Sequence, residues 1–254
     1  MGTRDSYTPG TFCWVDLATT DTEAAKAFYG ALFGWTVQEV PQYGFFRRGE
    51  AVVAGLAELQ PAQREAGVPP SWSSYVRVDD AEAVCARCEQ LGGSVRAAPF
   101  EIPQAGRMAV LADPQGAVFL LWEPGPFPGS AVVNEPGSFT WNDLQTTDPE
   151  AAQGFYRDLF GWEIAETEGA GGAYFTISNG GRMNGGLMRS PQEGVPPYWM
   201  AYFGVESLDR AMAQTREAGG AVLAGPIEVP AGRFAALRDP QGAVFSVMEG
   251  EYDD

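Results

Sequence analysis

The sequence predicts an α+β protein built from two similar domains, and two observations carry that prediction. Residues 9–35 and 136–162 are identical at 18 of 27 positions, at a spacing of 127 residues, which is half of the chain. Within each half, a strand pattern, a helix pattern and three further strand patterns follow one another, and this order occurs twice. The period is far longer than the roughly 20 to 50 residues of a solenoid repeat, so each half is expected to close its own core. Four βαβββ units therefore account for the chain.

The first unit begins with a strand over residues 12–19. A helix follows from Asp21, because an aspartate is a good N-cap, and Gly34 is expected to end it in a left-handed conformation. The same signals return at Asp148 and Gly161. Turn residues then separate three short strands, predicted over residues 36–40, 44–48 and 51–58.

The second unit repeats this order after a proline-rich turn at residues 69–70. A strand over residues 73–78 and a helix over residues 80–91, closed by Gly92 and Gly93, are expected. The unit ends with strands predicted near residues 94–98, 106–111 and 117–122.

The stretch between the two halves, around residues 124–137, is rich in proline and glycine and continues neither helix nor strand. We therefore expect one domain over residues 1–128 and a second over residues 129–254. Two similar domains in one chain imitate a homodimer, which predicts a monomer or a weak dimer.

The composition excludes several classes of protein. With 45% hydrophobic and 12% aromatic residues the chain can fill folded cores, and no run approaches 18 apolar residues. The first ten residues have no apolar segment of the kind that directs export, so a cytoplasmic protein without membrane contact is expected. The net charge of −17 repels phosphate backbones and argues against nucleic acid, but it admits a cationic small molecule.

Two phrases carry a resemblance to a known family, and each occurs in both halves. They are Phe28-Tyr29 with Leu32-Phe33-Gly34-Trp35, and Asp113-Pro114-Gln115-Gly116. The chain resembles the vicinal oxygen chelate superfamily of glyoxalases, bleomycin resistance proteins and extradiol dioxygenases, and within it the tandem two-domain glyoxalase-like proteins of actinobacteria. The resemblance implies two glyoxalase-like domains whose curved mixed sheets form cup-shaped cavities. It leaves the activity open, because this fold carries metal-dependent enzymes and metal-free binding proteins alike.

The resemblance also implies where a metal would be held, by His, Gln and Glu side chains on the first and last strands of the units. Counting from the shared motifs places Trp14, Ser73 and Leu120 at three of these positions in the first half. The second half has Trp141, Met200 and Ser246 there, and the whole chain has no histidine. We therefore expect no metal site of the family type and no cofactor.

Strand alternation assigns the residues that should line the two cups. On the first strand of the first half, Phe12, Trp14 and Asp16 should face inward, while Cys13 and Val15 face the helix. In the second half the inward residues are Phe139, Trp141 and Asp143. The residues expected to bind a ligand are Phe12, Trp14, Trp122, Phe139, Trp141, Met200, Arg107, Arg233, Ser246 and Met248. An alternative is that the aromatic side chains are simply core and fill the space of a ligand.

Asp16 and Asp143 are candidates for proton transfer, together with Tyr75 and Tyr202. A carboxylate among aromatic side chains costs free energy unless it is paired, and burial would raise its pKa. A purely structural role, through backbone amides or an arginine, is equally open. We expect Arg107 and Arg233 to be the salt partners of these aspartates, with the anchoring of an anionic ligand group as the alternative.

The function that follows is metal-independent binding of a small organic molecule, aromatic or cationic, in an aromatic-lined cup. One alternative is a metal-free lyase, isomerase or hydrolase of specialised metabolism that uses the aspartates and tyrosines as acid and base. Another is an interaction protein that has kept the fold and lost the pocket.

Overall fold

The computed structural model describes residues 2–169, 172–191 and 194–252. The first half contains β1 (Phe12–Thr19), α1 (Thr22–Phe33), β2 (Thr36–Val40), β3 (Tyr43–Arg48), β4 (Ala51–Glu58), α2 (Pro61–Glu65), β5 (Ser71–Arg77), α3 (Ala81–Gln90), β6 (Ser94–Ile102), β7 (Gly106–Ala112) and β8 (Val118–Pro124). The second half contains β9 (Phe139–Thr146), α4 (Pro149–Phe160), β10 (Glu163–Gly169), β11 (Gly172–Asn179), β12 (Arg182–Arg189), β13 (Tyr198–Gly204), α5 (Leu208–Glu217), β14 (Ala221–Val229), β15 (Gly232–Arg238) and β16 (Val244–Gly250).

The predicted α+β class and the four βαβββ units are confirmed. Each half forms a mixed eight-stranded sheet within the described residues, in the order β2-β3-β4-β1-β5-β8-β7-β6 and its counterpart β10-β11-β12-β9-β13-β16-β15-β14. The first strand of each half lies at the centre, parallel to the fourth and antiparallel to the fifth. The sequence analysis missed the short helix α2, whose first residue is a proline. The expected domain boundary at residues 128 and 129 lies in the segment between β8 and β9.

The predicted helix caps are confirmed in both halves. The Asp21 side chain accepts a hydrogen bond from the Ala24 amide, and Gly34 adopts φ 70° beyond the last turn of α1. Asp148 and Gly161 do the same for α4, with φ 73° at the glycine. No helix in the described ranges is long and apolar enough to cross a membrane.

The prediction that each half closes its own core is wrong, because one continuous apolar core contains residues of both halves. Trp72 of β5 packs against Phe203 of β13, with ring centroids 4.7 Å apart. The two shared sequence phrases also meet across this core. The Tyr29 hydroxyl of α1 donates to Asp239, and the Tyr156 hydroxyl of α4 donates to Asp113.

A β-bulge changes which residues of β1 face the first cup. The pairing of β1 with β5 shifts register between Phe12 and Trp14, so strict alternation fails there. Cys13, expected to face the helix, instead lies in the cluster with Trp14. Phe12, expected in the first cup, packs in the shared core against Trp199 of the other half, with ring centroids 5.0 Å apart.

Candidate ligand-binding site

Each sheet has a face turned away from the shared core, and the central strands place one carboxylate on it. We call the face around Asp16 and Tyr75 the first cup, and the face around Asp143 and Tyr202 the second cup. The equivalence is structural as well as sequential, because Asp16 pairs with Gly55 of β4 as Asp143 pairs with Gly186 of β12. The two cups can therefore be compared residue by residue.

In the first cup, two tyrosine hydroxyls hold the carboxylate. Tyr75 donates to Asp16 Oδ2 at 2.7 Å, and Tyr43 donates to the same oxygen at 3.2 Å. The Tyr43 hydroxyl also accepts from the Trp14 indole N–H. Burial raises the pKa of Asp16 to about 6, and the two hydrogen bonds oppose that shift.

The second cup repeats this arrangement with one more donor. Tyr174 donates to Asp143 Oδ1 at 2.7 Å, the Trp141 indole N–H donates to it at 2.9 Å, and Tyr202 also bonds the carboxylate. Burial raises the pKa of Asp143 above its usual range, and these hydrogen bonds limit the shift. Asp143 is only 4% exposed. The expected proximity of each aspartate to its tyrosine, Tyr75 or Tyr202, is thus present in both cups.

Tyr43 and Tyr174 were missed by the sequence analysis, although a signal for them exists. A Cβ at Gly55 would lie 1.8 Å from the Tyr43 hydroxyl, and one at Gly186 would lie 1.9 Å from the Tyr174 hydroxyl. The glycines therefore make room for the tyrosines to reach the carboxylates. In both halves the glycine follows its tyrosine by 12 residues, as 55 − 43 and 186 − 174 show.

The first cup is filled by side chains of its own half. Trp14, Tyr75, Leu120 and Trp122 are each at most 6% exposed and form one apolar cluster. Phe127, from the segment after β8, completes it, with its ring centroid 5.0 Å from that of Trp14. In this cup the alternative that the aromatic side chains are core describes the structure better than an open site does.

The second cup, in contrast, contains a cavity of about 1080 Å³. Smaller side chains account for part of the difference, because strand pairing places Met248 where the first cup has Trp122 and Thr176 where it has Phe45. Of the residues predicted to bind ligand in this cup, Trp141, Phe139 and Met248 line the cavity, as do Asp143 and Tyr202. Tyr174 and Phe234 also line it and were not predicted as ligand-binding residues.

One wall of this cavity comes from the first half of the chain. Arg4, Tyr7 and Thr11, together with Phe12, line it. Hydrogen bonds fix this wall to the second sheet, because Asn184 accepts from the Phe12 amide and donates to the Gly10 carbonyl. Sequence reasoning confined to one repeat could not find this wall, since it joins residues more than 170 positions apart.

Two predicted ligand residues lie beside the cavity without lining it. Met200 is 3% exposed and Ser246 is 1% exposed, and both are packed on the central strands. The backbone places Ser246 beside Tyr202 in the parallel pairing of β16 with β13. Their contribution to the second cup is therefore indirect.

The expected salt bridges of Arg107 and Arg233 with Asp16 and Asp143 are wrong. Cross-strand register places Arg107 opposite Glu123 and Arg233 opposite Glu249, and each arginine pairs with that glutamate. The pairs lie at sheet ends, where the glutamates also accept from the first amides of α3 and α5. Neither arginine lines the second-cup cavity, so these positions do not support their assignment as ligand anchors.

The donor set does not fit the divalent metal that the fold implies. Each cup has one carboxylate on its central strands, already bonded by tyrosine hydroxyls, and indole, hydroxyl, thioether or alkyl groups, with no imidazole, stand at the expected ligand positions. The acidic cluster that the described residues contain, Asp80, Glu82 and Glu123, lies outside the cups. Its members cap α3 or pair with Arg107.

The fold and the paired cups define a protein of the glyoxalase type with one filled and one open cup. The profile of the Glyoxalase/Bleomycin resistance protein/Dioxygenase superfamily matches residues 11–121 and again residues 137–247, so the chain belongs to this family.

The chain is 42% identical, over 98% of both sequences, to CFP32 of Mycobacterium tuberculosis, which is provisionally named a glyoxylase. It is 36% identical to the anthracycline biosynthesis protein DnrV of Streptomyces peucetius, over 96% of this chain and 94% of that one. Among solved structures, the Mn(II)-bound glyoxalase of Novosphingobium aromaticivorans matches with a TM-score of 0.67 and 17% identity, over 96% of this chain and 84% of that one. That last likeness concerns the fold alone.

Proposed function

We propose that this protein binds a flat aromatic small molecule, neutral or cationic, in the second cup, and that it does so without a metal ion. The observation that carries the proposal is the contrast between the cups: the same carboxylate and tyrosines face packed side chains in one and a cavity of about 1080 Å³ in the other. This volume slightly exceeds the usual range of about 300–1,000 Å³ for small-molecule sites, which favours a fused-ring ligand over a single ring.

The walls of the second cup support an aromatic ligand. The Trp141 indole N–H is bonded to Asp143 and Tyr174, so the ring is held in place and its surface can take part in stacking. Tyr202 and Phe234 form another aromatic pair of the wall, with ring centroids 5.6 Å apart. Rigid aromatic walls lose little conformational entropy when a flat ligand binds.

The carboxylate of Asp143 supports a hydrogen-bond donor or a cation on that ligand. Of the acidic side chains that line the cavity, Asp143 is buried, whereas Glu150 and Glu251 are exposed. Among the described residues, Asp143 is bonded by tyrosine hydroxyls and the Trp141 indole. A ligand hydroxyl, amine or ammonium would add a charge-assisted hydrogen bond. The relatives DauV of Streptomyces sp. and DnrV are named for anthracycline biosynthesis, and anthracyclines are fused-ring aromatic compounds. Their names thus agree with this ligand class.

A second function is favoured by one observation, the raised pKa of Asp143 beside two tyrosine hydroxyls. A buried carboxyl group whose pKa is raised, and which bonds two hydroxyl groups, is a candidate for proton transfer. In that case the bound molecule would be a substrate, and Asp143 would be the proton-transfer group.

Calorimetric titration with a panel of fused-ring hydroxylated and amino-substituted aromatics tests both functions. Trp141→Ala should weaken binding at least about tenfold, because the stacking and the buried indole surface together contribute more than about 1.4 kcal/mol. Met200→Leu is the matched control, since it changes a packed neighbour that lies outside the cavity wall and should leave affinity within about twofold.

Asp143→Asn separates the two functions. If binding persists and a ligand is chemically converted by the wild type but not by this variant, the protein is an enzyme. If no compound of the panel binds, or if Met200→Leu and Trp141→Ala weaken binding equally, the second cup is not the site.

A further inference from the structure

The first cup has a carboxylate and two tyrosine hydroxyls, which we call its polar floor, although its own aromatic side chains fill it. Both tyrosine hydroxyls, from Tyr43 and Tyr75, donate to Oδ2 of Asp16. Within the part of the chain that the structure describes, the other oxygen, Oδ1, has no hydrogen-bond donor. Asp16 is only half-buried, and Oδ1 is not a fully buried atom, so this oxygen can accept a hydrogen bond from a bound molecule.

The ring of Phe127 sits in this cup as an aromatic ligand would. Its centroid lies 5.0 Å from Trp14 in an edge-to-face arrangement at 89°, and 5.8 Å and 6.0 Å from Phe45 and Trp122. These are the distances and angles that favourable aromatic pairs adopt. Phe127 stands on the segment between the two sheets, whereas Trp14, Phe45 and Trp122 stand on strands.

The segment that carries Phe127, residues 125–129, has few attachments. The Gly125 and Phe127 amides share one acceptor, the Ala105 carbonyl, and the Trp122 indole N–H donates to the Phe127 carbonyl. Firm attachment resumes at Ser130, whose amide donates to Cys13 and whose hydroxyl donates to Val53. Prolines and glycines make up the rest of residues 124–129, so a short unit between two fixed ends carries the ring.

We propose that the first cup is a second binding site, for a compound with one aromatic ring and a hydrogen-bond donor, and that Phe127 occupies it when no such compound is bound. The ligand ring takes the place of the Phe127 ring against Trp14, and its donor bonds Asp16 Oδ1. The inference rests on the proposed function only for the general class of ligand. It assigns a smaller, single-ring compound to this cup, whereas the second cup suits a fused-ring one.

Solution binding of 4-bromophenol to the full chain tests this proposal. Trp141→Ala removes the aromatic wall of the second cup, so calorimetry in that background reports mainly the first cup. We expect weak binding to Trp141→Ala and binding at least about tenfold tighter to Trp141→Ala/Phe127→Ala, because the ligand no longer competes with the Phe127 ring. Phe127→Leu should fall between the two, and it serves if the alanine variant does not fold.

Crystals of the wild type with 4-bromophenol locate the ligand through the anomalous signal of bromine. Bromine beside Trp14, with Phe127 displaced, supports the proposal. If 4-bromophenol binds the double variant Trp141→Ala/Phe127→Ala but does not bind Trp141→Ala, the proposal is overturned, because Phe127 would then never leave the cup. An affinity that the Phe127 substitutions do not change would also overturn it. The proposed function fails separately, through loss of fused-ring binding in the second cup.

Discussion

The two cups have nearly the same floor and opposite contents. Asp16 with Tyr43 and Tyr75 matches Asp143 with its two tyrosines, yet packed rings cover the first set and a cavity of about 1080 Å³ adjoins the second. The difference lies in what stands above the floor, including a phenylalanine from the segment between the sheets. A polar arrangement that occurs in both halves of the chain therefore does not by itself identify a binding site.

The same difference divides the energetic roles of the two cups. In the first cup the aromatic surface is buried by the protein itself and so stabilises the fold. In the second cup part of that surface remains available, and its burial can contribute to binding instead. Matched substitutions in the two cups should therefore have different effects on unfolding and on ligand affinity.

Replacement of the two equivalent tryptophans should show the largest contrast. Trp14 is 3% exposed and packs within the aromatic cluster of the first cup, so Trp14→Ala should lower the free energy of unfolding by about 3–5 kcal/mol. Trp141 borders a cavity, so Trp141→Ala should cost less than about 2 kcal/mol. Urea denaturation of both variants, compared at equal m values, measures the difference. Equal losses would mean that the second cup is as closely packed as the first.

The pH dependence of stability should reveal the carboxylate of the first cup. Its raised folded pKa of about 6 means that the folded state holds the proton more tightly than the unfolded chain does. The stabilisation is therefore complete below about pH 4 and is lost as the pH rises through 6, by up to about 3 kcal/mol. Asp16→Asn removes this term, so the variant should gain stability relative to wild type between pH 4 and pH 7.

Denaturation series at several pH values measure this gain. Asp158→Asn, at an exposed position of α4, is the control and should follow the wild-type curve. A constant difference between Asp16→Asn and wild type over the whole range would show that Asp16 titrates alike in the folded and unfolded chain.

Much of the fold could be predicted because its signals are local or repeated. The caps Asp21 and Gly34 end α1 through contacts within a few residues, and the repeat fixes the same elements in the second half. The prediction failed where a single backbone irregularity decides the outcome. The bulge between Phe12 and Trp14 sends Phe12 into the shared core, and period-two alternation contains no sign of it.

The contents of the cups could not be predicted for a different reason. Phe127 and the wall around Tyr7 reach their cups from segments outside the repeated units, so neither alternation nor comparison of the halves points to them. The tyrosines of the floor could have been found, because Tyr43 and Tyr174 keep a fixed spacing from a glycine. This spacing is informative only when one considers that the glycine leaves room for the tyrosine side chain of the neighbouring strand.

Alanine at Gly55 or Gly186 should lower stability less than Trp14→Ala does, and comparing the two variants should distinguish the cups most clearly. A methyl group at Gly55 or Gly186 meets the hydroxyl of the facing tyrosine below 2 Å, so that hydroxyl must leave its carboxylate. Each substitution should cost about 1–2 kcal/mol of stability, through one lost hydrogen bond and local crowding. Only Gly186→Ala should also weaken binding of the fused-ring ligand, by several-fold, because Tyr174 lines the open cavity. Parallel calorimetry and denaturation measure both quantities, and an equal loss of affinity in Gly55→Ala would show that the two cups are coupled and not independent.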